Sequence, residues 1–275
     1  MRIVEHADVN SFLAAASTFL LAAEGENSLM LGIAQTLRDR TDYYPGGAWM
    51  ATIEDGEITT GAALRTPPHR LILTRLQSTA VNLLAQQLQD IPGVIGPKDA
   101  AEAFARLWSA KKGVPHQLVM AQRFFQLSRV EPIPRVGGRA CRAGADDVEE
   151  LLAWRRAYEV ELKMDGPLED ACRRFRLEID RGNVWIWVDD RRRSMAACVG
   201  PTPRGIRIGG VYTPPELRGR GYATALVAGV SRIKLSEGRE FCSLCTDLSN
   251  PTSNAIYQKI GYRPVCDFAE YRFDQ

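Results

Sequence analysis

The sequence predicts an α/β fold, a mixed sheet flanked by helices, laid out as two tandem halves of one pattern. Three observations carry that reading. Helix-like and strand-like patterns follow one another in the second half in the order ααβββαβαβ. The stretch Arg129 to Gly138, RVEPIPRVGG, concentrates prolines and glycines and reads as a linker, which divides the chain into residues 1–135 and 136–275. Residues 48–73 align without gaps on residues 183–208, placing Glu54-Asp55 on Asp189-Asp190 and Pro68 on Pro203, as diverged copies of one duplicated unit would.

In chain order, the first element is an apolar run, Ser11 to Ala23, with Asn10 or Ser11 placed to cap it. Phe12, Ala15, Ala16 and Phe19 share a face, so it reads as a buried amphipathic helix. The run is too short to span a bilayer, and Glu5 and Asp8 stand where an export signal carries cations. A cytoplasmic chain with no membrane partner is expected. The aligned block 48–73 reads as strands, and Leu118 to Leu127 is a further apolar run before the linker.

Beyond the linker, Asp146 or Asp147 is placed to cap a helix carrying Val148, Leu151, Leu152 and Tyr158, with Tyr158 to Glu161 following it. A second helix starts near Pro167 and stops at Gly182. Strands are expected at Val184 to Asp189, Ser194 to Gly200 and Gly205 to Tyr212, then a helix from Gly221 to Ser236. Strand Glu240 to Thr246, helix Pro251 to Ile260 and a final β region complete the order.

Charge excludes one class of function. The chain has 35 Lys+Arg against 33 Asp+Glu, and residues 1–135 hold 13 of each sign, so neither half is a basic module. No nucleic-acid partner is expected. The six cysteines all lie from Cys141 onward without a disulfide-framework pattern. The pair Cys242 and Cys245 has the spacing of a zinc knuckle or a redox pair. No second such pair exists, and His6, His69 and His116 lie in the other half, so both cysteines read as strand residues and no metal is expected.

The segment Gly209 to Thr224, GGVYTPPELRGRGYAT, is where chemistry concentrates. A strand through Val211 and Tyr212 is stopped by Pro214 and Pro215, and the chain turns through Arg218-Gly219-Arg220-Gly221 into a helix. Glycines admit a phosphate close to the backbone, a helix N-terminus presents N–H groups and a positive dipole, and the arginines add charge. The turn is neither a P-loop nor a dinucleotide fingerprint. A second pattern, NPTSNAIYQKIGY, begins at Asn250, which can cap a helix starting at Pro251. Asn250, Asn254 and Tyr257 then form a polar stripe.

Together these residues resemble the GNAT superfamily of acyl-CoA-dependent N-acetyltransferases, over roughly residues 139 to 275. Arg218-Gly219-Arg220-Gly221-Tyr222-Ala223 matches its phosphate motif, and Asn250, Asn254 and Tyr257 match its later signature. The resemblance implies a mostly antiparallel central sheet in each half and direct transfer of an acetyl group from acetyl-CoA, as co-substrate, to an amine. Val211, Tyr212 and Thr213 would hold the pantetheine arm, Gly209-Gly210 would permit a bulge, and residues Arg218 to Thr224, with Asn250 and Asn254, would complete the cofactor site. Tyr257 would be the acid that protonates the leaving thiolate, whose pKa of about 8.5 lies within reach of a phenol near 10.

The base is ambiguous among Glu159, Glu161, Asp165 and Glu216; Glu159 and Glu161 rank first because this family builds its acceptor pocket near there, and a water chain is the alternative. The first half lacks both motifs: LQSTAVNLLAQQL has no arginine-bearing glycine loop, and DAAEAFARLW has no asparagine and tyrosine stripe. It is expected to be a degenerate copy. The acceptor, a small molecule or a peptide amine, stays open, as does the oligomeric state. The main alternative is a non-catalytic acyl-CoA-binding regulatory module.

Overall fold

The computed structural model describes residues 1–40, 42–164 and 166–274. The first half runs β1 (Arg2–Glu5), α1 (Val9–Ala22), α2 (Ser28–Asp39), β2 (Trp49–Asp55), β3 (Ile58–Arg65), β4 (Leu71–Leu73), α3 (Ser78–Gln87), β5 (Gly93–Pro97), α4 (Lys98–Lys112) and β6 (His116–Leu127). The second repeats that order: β7 (Arg139–Arg142), α5 (Val148–Glu161), α6 (Leu168–Asp180), β8 (Val184–Val188), β9 (Arg192–Val199), β10 (Gly205–Tyr212), α7 (Tyr222–Ser236), β11 (Phe241–Asp247), α8 (Pro251–Ile260) and β12 (Arg263–Phe273). The gapless alignment of 48–73 on 183–208 lays β2, β3 and β4 onto β8, β9 and β10.

Local chemistry moves some boundaries. Helix α1 is capped by Asp8, whose carboxylate accepts from the N–H groups of Asn10 and Ser11 at 2.8 and 3.0 Å, so the cap is neither Asn10 nor Ser11. Its buried stripe is Phe12, Ala16 and Leu20. Helix α5 extends to Glu161, which puts Tyr158 to Glu161 in its last turn rather than after it. No proline or glycine interrupts that stretch, and the helical ladder continues through it.

The chain divides into two compact units, each discontinuous in sequence. One comprises Met1–Phe124, Cys245–Pro251 and Pro264–Gln275, the other Phe125–Leu244 and Thr252–Arg263. In the first unit the strands run β1-β2-β3-β4-β5-β12, with β4 parallel to β5 and β12 antiparallel to β5 through Phe268 to Arg272. Leu71, Leu73, Val81, Leu84 and Phe104 pack with Tyr271 and Phe273 of β12. On the other side, Phe12, Leu20 and Met30 pack against Met50, Ala62 and Leu64.

In the second unit the order is β11-β10-β9-β8-β7, antiparallel except where β10 meets β11. Helices α7 and α8 cover one face, where Trp185, Trp187, Ile206, Ile208, Leu226, Val230, Leu244, Tyr257 and Tyr262 form a core with Phe125 and Leu127 from the end of β6. Helices α5 and α6 cover the other, where Leu151, Phe175 and Ile179 meet Val184, Ile186, Met195 and Tyr212. Alternation along β8 sends Trp185 and Trp187 to one face and Val184 and Ile186 to the other. No helix among the described residues is long and apolar enough to cross a membrane.

Candidate active site

The site is built on the end of β10. Its parallel register with β11 covers Gly205, Ile206 and Arg207, and Ile208 to Tyr212 lie beyond it while pairing with β9 continues. Between Gly209 and Tyr212 the register with β9 shifts, and Gly210 holds φ +59. That shift is a bulge, with its extra residue in the left-handed region that glycine adopts freely. It also changes parity. Ile206 and Ile208 face α7, and strict alternation would send Tyr212 the same way; instead Tyr212 joins the α5 and α6 core while Val211 packs toward α7.

After β10, Pro214 ends the strand, and residues Pro215–Leu217 form a short 3-10 turn. Gly219 and Gly221 follow at φ +76 and +81, and Gly221 is the N-cap of α7, which begins without a side-chain cap. The first-turn N–H groups of Tyr222, Ala223 and Thr224 therefore face outward from a half-buried surface at the positive end of the helix dipole. A Cβ on Gly219 would meet nothing within 4 Å, whereas one on Gly221 would approach Val136 Cγ2 to 3.2 Å.

The two arginines of this turn behave differently. Arg218 folds back: its Nε donates to the Thr213 carbonyl at 2.9 Å, its Nη2 donates to Glu161 Oε2 at 2.6 Å, and its guanidinium lies 5.7 Å from the Tyr212 ring centre. The Glu161 hydrogen bond raises the Arg218 pKa further. Burial raises the Tyr212 phenol above its usual value, although Arg218 pulls the other way. Arg220 makes a long contact to the Glu216 carbonyl, at 3.4 Å, and stays exposed. Thr213 donates to Ser194 Oγ at 2.9 Å, and Ser194 in turn donates to the Tyr212 carbonyl at 2.9 Å, which fixes the strand end. Tyr222 reaches Asp189 at 3.4 Å and carries the Arg193 guanidinium on its ring.

Tyr257 lies in α8, 8% exposed, in the core that Val211 and Tyr222 also touch; its ring meets that of Tyr262 edge-on at 6.1 Å. Asn254 stands on the same helix, and Asn250 immediately precedes it. The structure thus brings Val211, Tyr222 and Tyr257 to one core, from three separate elements. The carboxylates separate by environment. Glu159 is 8% exposed and pairs with Arg155, one turn earlier on α5. The Glu161 side chain is 48% exposed and is engaged by Arg218. Glu216 sits exposed in the 3-10 turn, and Asp165 lies outside the described residues.

Arg155 was missed from the sequence. Its Nη1 would lie 3.3 Å from a Cβ built on Gly210, at the bulge, and its guanidinium is flanked by the rings of Tyr158 and Phe175 at 5.2 and 5.5 Å. The only sequence signal for it is the spacing of four to Glu159. Cys198 and Cys242 pack in the core of the second unit. Cys242 and Cys245, three apart on β11, point to opposite sides, one buried and one exposed. Burial pushes the Cys198 and Cys242 thiols up to about 12. Among the described residues no group of His, Cys, Asp and Glu could hold a metal ion.

A family model described as FR47-like protein matches residues 188–273. No curated protein matches the chain. Among solved structures, a Drosophila protein from a structural genomics effort superposes with a TM-score of 0.72 at 15% identity, over 99% of this chain and 98% of its own. An acetyltransferase from the GNAT family of Colwellia psychrerythraea gives 0.60 at 11% identity, over 100% of both chains. A tandem GNAT protein from the clavulanic acid biosynthesis pathway gives 0.54 at 13% identity, over 99% of this chain and 98% of its own. At such identities the likeness is one of fold. The family model lies across the strands and helices that carry both motifs, and the chain shares its fold end to end with these GNAT structures.

Proposed function

We propose that the second unit transfers an acetyl group from acetyl-CoA directly to an amine. The observation that supports this most is the path of β10, which passes beyond its register with β11, bulges at Gly210 and runs through Gly219 and Gly221 into an uncapped helix start. The residues present fit a diphosphate. Two left-handed glycines keep Cβ atoms out of its way, and the backbone N–H groups from Gly219 to Thr224 can donate to it at the favourable end of α7. Val211 and Thr213 offer backbone groups to an extended arm lying along β10 as an added strand would. Asn250 and Asn254 complete the proposed cofactor set. Acetyl-CoA, when bound, supplies an activated thioester.

The chain's own residues then have separate tasks. The N–H of Val211 or a neighbour, freed for new bonding by the bulge, polarises the reacting carbonyl. Tyr257 Oη supplies the proton that the departing sulfur takes. Glu159, rather than Glu161, receives the proton of the acceptor ammonium: it is the buried carboxylate, on the helix that packs beside the bulge, while Glu161 holds Arg218 across the α5 and β10 ends. Arg218 therefore acts by fixing the turn, and Arg220 supplies the exposed positive charge.

The test is a thiol-detected CoA-release assay over amines, amino acids, polyamines and aminoglycosides, run beside calorimetric titration with acetyl-CoA. Binding with release on one acceptor class is expected. Binding without release on any acceptor would replace catalysis with a regulatory acyl-CoA-binding module. No binding at all would overturn both.

A further inference from the structure

Arg155 and Glu159 make a poor structural ion pair. Their charges touch through Arg155 Nη2 and Glu159 Oε1, yet Arg155 Nε is buried without a hydrogen-bond partner among the described residues. Burying two charges is costly, and the cost is offset only when the remaining donors and acceptors are satisfied. The pair is also held ready. Tyr158 and Phe175 flank the guanidinium, which restricts a side chain that otherwise has many rotamers. One edge of it lies against Gly210, at the strand bulge, where any residue with a Cβ would crowd it. The Arg155 side chain is 20% exposed, so this corner is reachable from solvent.

We propose that Arg155 and Glu159 form the acceptor subsite and that the acceptor is a free α-amino acid, its carboxylate taken by Arg155 and its ammonium by Glu159. The inference rests on the transferase reading for the fate of the bound amine and on the geometry alone for the binding. A zwitterion carries its two charges one carbon apart and has no net charge, so it enters a paired site without burying an excess charge. Its carboxylate offers the acceptor that Arg155 Nε lacks, and its ammonium can replace Arg155 Nη2 as the donor to Glu159 Oε1. Once the guanidinium is engaged by the ligand, Glu159 is released to the ammonium. A polyamine or an aminoglycoside would meet Arg155 with like charge, and a peptide N-terminus has no carboxylate at that distance.

The experiment uses the full chain. Glycine, L-alanine and L-leucine, and the amide of each, are titrated calorimetrically without CoA and then offered in the CoA-release assay. At least one amino acid should bind about 10- to 100-fold more tightly than its amide, the ratio expected for losing a charge-assisted fork. Arg155→Gln should bring that amino acid's affinity down to the amide level, and Arg155→Lys should recover part of it; circular dichroism and the melting midpoint check that both variants fold. Equal affinity for acid and amide, no binding of any amino acid, or unchanged binding by Arg155→Gln would overturn the proposal. Amino-acid binding lost in Arg155→Gln with no CoA release would keep the subsite and sink the transferase reading. CoA release from plain amines without amino-acid binding would do the reverse.

Discussion

The β4 to α3 junction of the first unit and the β10 to α7 junction of the second occupy the same place in one repeated order, yet they are built differently. Strand β4 ends at Leu73. Thr74 then ties the chain to β3, its Oγ1 accepting from the Ala62 N–H at 2.9 Å, and Leu76 lies over Gly61. The turn into α3 has no glycine, and no bulge interrupts the register of β4 with β3. In the second unit the strand continues through Gly209-Gly210, bulges, and reaches α7 through two left-handed glycines. The helices that follow differ in the same sense. Counted from their first residues, Asn254 and Tyr257 of α8 correspond to Ala101 and Phe104 of α4, both buried without exposure. The same element order thus carries a long glycine turn in the second unit and apolar atoms with a shorter turn in the first.

The largest break of this contrast is at Gly221. Gly221→Leu places a Cβ at φ +81, costing about 1–2 kcal/mol in a left-handed backbone, and puts a side chain where the diphosphate would approach. Acetyl-CoA affinity should fall by about two orders of magnitude in calorimetry, the equivalent of two lost charge-assisted hydrogen bonds. Gln77→Leu, at the matching N-cap of α3, should leave that affinity unchanged. Next comes Tyr257→Phe, which gives α8 the residue α4 already has. Turnover should fall about 10²- to 10⁴-fold with acetyl-CoA affinity held within about twofold; unchanged turnover in steady-state assays would remove the proton-donor role.

A third measurement separates the two carboxylates of α5. Glu159→Gln should lower kcat by about 10²-fold, whereas Glu161→Gln, which weakens an exposed pair, should change it by less than about threefold. Equal effects would reverse their assignment. The smallest change is Phe104→Tyr, which places a hydroxyl in the first unit's closed core, beside Trp108. It should cost about 1–3 kcal/mol in urea unfolding, the desolvation of an unpaired hydroxyl, and should leave turnover unchanged.

The sequence made the α7 and α8 segments legible because each carries its own punctuation. Pro214 and Pro215 stop a strand, Gly221 opens a helix, and Pro251 starts one, all local effects of backbone freedom and missing N–H groups. The duplicated hairpins were legible for the same reason, since turns and period-2 alternation survive divergence. Short edge strands β1 and β7 were not, because four residues are too few to show a period. The reach of α5 through Glu161 was missed because Tyr158 to Glu161 has neither breaker nor clear periodicity. Arg155 was not singled out at all; only the fold places it against Gly210, since that proximity joins residues far apart in the chain. The pairing of β12 with β5 is beyond any local pattern for the same reason.

That last pairing has a consequence for how the protein is made. The first unit draws β12 from the far end of the sequence, Phe268 to Arg272 lying along Pro97 to Gly93. A ribosome therefore delivers its helices and strands β1 to β6 long before β12, which takes its place between β5 and β6. Until then the edge of β5 has no covering neighbour and the pocket for Tyr271 and Phe273 stays unfilled. Severing the chain at the Arg129 to Gly138 linker would leave the first half without β12 and its Tyr271 and Phe273.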